Sequence, residues 1–124
     1  MKSLVAGAQG IYYTATGLWP LLSITTFEFI SGPKTDDWLV VTIGVLVTVI
    51  GLVLIAAAMK NESSAPVLIL AIGSAGGLAA IDFFYAMTGV IWPIYMLDGV
   101  GELALIVMWT IAIRRDRVST RTNA

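Results

Sequence analysis

The feature that most constrains this chain is the run from Trp38 to Met59, which is 22 residues long, carries no charge and has only two threonines. At the α-helical rise such a run spans about 30 Å of hydrocarbon. Three further apolar blocks accompany it. Val67 to Met87 contains one charge, Asp82, and Trp92 to Ile113 contains two, Asp98 and Glu102. Leu4 to Ile30 is 27 residues, too long for one straight crossing, and requires a break. With 58% hydrophobic and 12% charged residues there is too little polar surface to cover a soluble domain of 124 residues. The expected fold is therefore all-α: an integral membrane protein built as a four-transmembrane-helix bundle. Its spans are expected at about 4–17, 37–59, 66–87 and 92–113, making residues 1–113 one membrane domain. A short interfacial helix is expected at about 20–30, and residues 114–124 form a basic cytoplasmic tail.

A short repeat locates the expected break. "TGLWP" (Thr16–Pro20) reappears as "TGVIWP" (Thr88–Pro93). Glycine after a helix suits a left-handed cap, and proline suits the first turn of the next helix. Only a turn fits between the third and fourth spans. The same grammar at the first copy ends span one near Thr16 and begins a new helix near Pro20; the alternative is one kinked helix from Leu4 to Ile30. Tryptophan prefers the headgroup region, so Trp19, Trp38 and Trp92 are expected at one water boundary and Trp109 near the other. Asp36 and Asp37 suit the start of the second span. Ser64 and Pro66 suit the start of the third.

Charge sets the expected orientation. Lys2, Lys60, Arg114, Arg115, Arg117 and Arg121 fall on one side, and Lys34 alone on the other. The positive-inside rule then places both termini in the cytoplasm, in a cell inner membrane. "MKSLVAGAQG" makes a poor signal peptide, because small and polar residues break its apolar run.

The chain contains no cysteine and no histidine. Disulfides, thiol chemistry, and the commonest general base and metal ligand are thereby excluded. No nucleophile–base pair, nucleotide motif or metal motif is visible, so catalysis is the weakest reading, and no cofactor or nucleic-acid partner is expected. Ionisable groups inside a bilayer are expensive and mark functional candidates. Here they are Asp82, Asp98 and Glu102, with Glu28 nearer the interface. Asp98 and Glu102 lie at i and i+4, on one helix face. Counting in from Met87 and Trp92 at about 1.5 Å per residue, Asp82 and Asp98 share a depth and Glu102 is one turn deeper. Tyr95 joins the Asp98 stripe, and Tyr85 the Asp82 stripe. Gln9, Tyr13 and Thr16 form a matching stripe on the first span, whereas the second has none and reads as scaffold.

No basic residue balances these acids within the spans. Three close carboxylates cannot all stay ionised in low dielectric, so one or two are expected to hold protons. The candidate ligand set is Asp98, Glu102, Asp82, Tyr95, Tyr85 and Glu28, in an outward-facing acidic pocket suited to a proton, a cation or a small amine. The structural alternative is that protonated acids bond to Tyr85, Tyr95 or a carbonyl and simply hold helices together. Glu28 could equally be a solvated residue or pair with Lys34. Gly73 and Gly77 have the spacing of a close helix contact, within the chain or between copies, and Gly99 and Gly101 flank the acidic pair. The arginine-rich tail suits anionic lipid. The partners expected are the lipid bilayer and either a second copy or a larger membrane complex, in which the chain would be an accessory subunit.

The run "TGLWPLLSITTFEFISGPKTDDWLV" together with "YMLDGVGELAL" resembles a group of small bacterial inner-membrane proteins of about this length and of unknown activity. That resemblance implies four spans and assigns no site residues. Small multidrug exporters share the length and span count, but their mid-span glutamate falls where this chain reads "GAQGIYYTATG", without an acid. The likeness to membrane sterol isomerases and sigma-2-like proteins is one of architecture only.

Overall fold

The computed structural model describes residues 1–123, and within them the chain is all-helical, with no strand. Five helices follow in order: α1 (Lys2–Leu22), α2 (Ile24–Ser31), α3 (Asp37–Met59), α4 (Ala65–Met87) and α5 (Tyr95–Asn123). Three of them, α3, α4 and α5, are long and apolar enough to cross a membrane. The expected first span, 4–17, is not among these. Its helix is 21 residues, long enough at roughly 30 Å, but Gln9, Tyr12, Tyr13, Thr14 and Thr16 dilute its apolar character.

The two copies of the repeat serve different ends. Thr88 closes α4, and Gly89 takes φ +80°, the left-handed conformation expected after a helix. At the first copy the expected break near Thr16 does not occur. Instead α1 runs through Gly17 and Pro20 and stops at Ser23, whose extended backbone (φ −156°) turns the chain and whose Oγ accepts from the Thr26 amide to start α2. Pro20 stands in the last turn of α1; it lacks the N–H that would bond to the Thr16 carbonyl, and the helix ends two residues later. The short helix expected at 20–30 is therefore α2, starting at Ile24. The fourth expected span starts as a helix at Tyr95 rather than Trp92, after a turn through Pro93, and extends helically through Arg114, Arg115, Arg117 and Arg121. Residue 124 of the expected tail lies outside the described residues. Ser64 and Asp36 occupy N-cap positions without making a side-chain cap bond.

Gly17 has a packing role. α1 and α3 lie antiparallel with two glycine pairs at their contact, Gly10 against Gly51 and Gly17 against Gly44. A Cβ on any of the four would come within 2.8 Å of the opposing carbonyl oxygen. Backbone touches backbone along two helical turns, the arrangement that gives lipid-embedded helices their dispersion contact. Gly73 and Gly77, the pair with the expected spacing, face outward on α4, where a Cβ added to either would meet nothing within 4 Å.

α4 and α5 form the second tight pair. The two pairs join at the end that holds the chain termini, through a core of Val5, Ala6, Leu54, Ala57, Val67, Ala71, Trp109 and Ala112. Toward the far end they are separated by a cavity. Large apolar side chains cover the outside: Ile11, Val45, Leu46, Val49, Leu52, Ile69 and Val107 are all exposed. Buried polar side chains and an exposed apolar surface invert the soluble pattern, as hydrocarbon surroundings require.

Candidate functional site

The site is a cavity of about 610 Å³ between the two helix pairs, at the end of the bundle opposite the termini. Its polar wall starts from α1. Tyr12, Tyr13 and Thr16 line it and, with Gln9 packed beneath them, fall at i+3, i+4, i+7 and i, one face of a helix that meets α5. Deepest is Gln9, fully buried, whose amide donates to the Ala71 carbonyl (2.9 Å) and accepts from Trp109 Nε1 (2.7 Å). One turn outward, Tyr13 Oη donates to Glu102 Oε2 at 2.6 Å. Beside it, Tyr12 Oη donates to Asp98 Oδ1.

Trp109 thus sits in the core, 0% exposed, and not at a water boundary as expected. It shares the α5 stripe with Glu102, seven residues away, and Gln9 supplies the acceptor its indole needs when buried. Trp19, Trp38 and Trp92 are partly exposed at the cavity end, and Trp92 lies over Gly32.

Asp82 differs from the other two acids. It projects into the cavity from α4, is 4% exposed, and its Oδ2 has no hydrogen-bond partner. A buried carboxyl oxygen without a partner is costly, and Asp82 holds one at the cavity wall. Apart from the acids and tyrosines the walls are largely apolar, with Ile43 and Val47 on α3, Leu78 and Ile81 on α4, and Ile94 on the turn before α5.

The remaining expected ligands divide. Tyr95 lines the cavity near its mouth. Tyr85 does not: it is partly exposed and stacks edge-on against Phe84. The inward stripe of α4 runs Ala71, Ala75, Ala79, Asp82, Ala86, and Tyr85 precedes Ala86 by one position, about 100° around the helix. Glu28 also lies outside the cavity, on α2, where its carboxyl meets Asp37. Hydrogen bonding to Asp37 raises its pKa above the ordinary glutamate value, with desolvation and like charge adding to the shift and Lys34 opposing it.

Two residues not expected as ligands complete the site. Tyr12 was legible from its i+3 relation to Gln9. Lys34 lines the cavity mouth, where its ammonium donates to the Ser31 and Gly32 carbonyls (3.1 and 2.8 Å) and the Ser31 hydroxyl (3.3 Å). The two carbonyls are orphan acceptors at the C-terminus of α2, where a cation is favoured. The ammonium also lies 5.1 Å from the Tyr95 ring centroid. No sequence period relates Lys34 to its partners, because the tight turn at Gly32 (φ +100°) brings it back.

Among the described residues, no arginine or lysine forms an ion pair with Asp82, Asp98 or Glu102, and no group of three or more acids is arranged to hold a metal ion. No family, curated protein or solved structure matches the chain.

Proposed function

We propose that this protein is a four-span membrane protein of a bacterial inner membrane, with both termini in the cytoplasm, whose outward-facing cavity binds a small organic cation. α1 supports the fourth span: it runs antiparallel to α3 through both glycine pairs, so it crosses whatever depth α3 crosses, with its polar face turned to the cavity. Six basic residues on the side of the termini, against Lys34 at the other, support the orientation. α2 lies at the outer interface in this reading, and Leu22 and Phe29, each 81% exposed, suit that setting.

The observation that carries the binding reading is Asp82. A buried carboxyl oxygen without a partner, on a side chain with no counter-charge and in a cavity shared with Asp98 and Glu102, suits a cation. Metal ions suit the site poorly, because two of the three acids already accept from tyrosines and the walls offer no further oxygen cluster. The test is thermal unfolding of the chain in nanodiscs with a panel of inorganic cations and amines. Stabilisation by amines that is lost in Asp82→Asn is expected; no shift from any cation refutes the reading.

A second reading, an accessory subunit or self-associating protein, draws on the outward Gly73–Gly77 face, where another helix would approach closely. Native mass spectrometry from nanodiscs separates a lone chain from an assembly.

A further inference from the structure

Resting on the reading of the cavity as a cation site, we infer that its ligand is a membrane-partitioning monoamine: one ammonium on an apolar body, without a phosphate, reaching Asp82 sideways from the bilayer between α3 and α4. Three observations on this chain converge.

The tyrosine bonds set the ligand charge. Asp98 and Glu102 each accept from a tyrosine through one oxygen, and of the three acids Asp82 alone has no tyrosine partner. One ammonium satisfies it. A polyamine's further charges would have to compete with Tyr12 and Tyr13 for Asp98 and Glu102, or lie against Leu78, Ile81, Ile43 and Val47.

The walls set the body of the ligand. Around the acid the lining is aliphatic and aromatic, and a cavity of about 610 Å³ holds far more than an ammonium head. Lys34, the basic residue among those lining the cavity, is engaged by three acceptors at the α2 terminus and so is not free to meet a phosphate.

The route follows from the packing. α3 and α4 make few contacts with one another, and the residues that face across their gap, Ile43 (54% exposed) and Ile81 (52% exposed), line the cavity and the outer surface at once. With the bundle in a bilayer, that gap faces acyl chains, while Lys34 stands over the aqueous mouth. An ammonium arriving from water meets a fixed like charge. One arriving from the interface with its chain in the lipid meets Ile43 and Ile81.

The experiment uses the full chain in phosphatidylcholine nanodiscs, with octylamine, octanol, ethylamine and spermidine as probes. Octylamine alone is expected to raise the melting temperature. Asp82→Asn is expected to weaken octylamine about 10- to 100-fold, the loss of one hydrogen bond to a charged group. It also serves as the control for partitioning into the disc. Leu78→Trp, which fills the apolar wall and leaves the acid in place, is expected to abolish the octylamine shift, and this variant decides the matter if Asp82→Asn does not fold. An octylamine shift unchanged in both variants overturns the inference. Ethylamine or spermidine acting as strongly as octylamine, with dependence on Asp82, overturns the ligand class and leaves the cation site standing; no shift from any amine overturns the cation site itself. Repeating the titration with phosphatidylethanolamine in the discs separates a free amine from a lipid headgroup. An unchanged shift supports the free amine, and a lost shift overturns it in favour of the headgroup.

Discussion

Tyr13 and Glu102 meet across 2.6 Å between α1 and α5, each 1% exposed, so the hydroxyl and the carboxyl have one another in place of water. With Gln9–Trp109 below and Tyr12–Asp98 beside it, this contact ties the two helix pairs together where few other contacts cross.

Tyr13→Phe removes the donor and leaves Glu102 exposed to the cavity alone. An interhelical hydrogen bond in a bilayer contributes about 1 kcal/mol, so a loss of that order is expected in unfolding by sodium dodecyl sulfate. In the double variant with Glu102→Leu the two losses should be less than additive, because both remove the same contact. Full additivity would mean that the pair is not coupled.

Glycine substitutions should sort by location. Gly17→Ala and Gly51→Ala force a methyl within 2.8 Å of an opposing carbonyl, and each is expected to cost about 1–3 kcal/mol as α1 and α3 move apart. Gly73→Ala and Gly77→Ala meet open space and should leave the monomer unchanged or stabilise it by up to about 1 kcal/mol through helix propensity. The same denaturant titration reads all four.

The cavity mouth should depend on Lys34. With no native cysteine, Leu78→Cys gives a single reporter inside the cavity. Its labelling by a water-soluble maleimide should quicken roughly tenfold in Lys34→Met, which removes charge-assisted bonds to the α2 terminus. Labelling that keeps its wild-type rate would show that Lys34 does not restrict access from water.

Glu28 gives a pH dependence outside the spans. Its pKa in the folded chain is raised above 4.5 by hydrogen bonding to Asp37, so the folded state holds that proton after the unfolded chain has lost it. The contribution is present in full below about pH 4.5 and falls as pH rises through the raised value. Glu28→Gln should flatten this part of the melting-temperature profile, measured on the acidic side of neutrality as the difference from wild type. A wild-type profile that instead loses stability on acidification through this window, and does so because of Glu28, would reverse the assignment.

The sequence by itself determined the helical, membrane-type architecture, because 22 uncharged residues can bury their backbone polar groups in lipid only as a helix. It also marked Asp82, Asp98 and Glu102, since charge is conspicuous in an apolar background. Helical period even exposed the face of α1 that meets them. Only the tertiary structure decided which acid has no tyrosine partner. That depends on tyrosines some ninety residues away in the chain, and no spacing rule records it. It likewise decided which glycines carry packing. Gly73 and Gly77 have the familiar spacing but face outward, whereas Gly10, Gly17, Gly44 and Gly51 acquire their role from the helix that lies against them. Period tells which residues share a face; what that face meets is settled by the long-range packing of helices, where small side chains let backbones approach and polar groups must find one another.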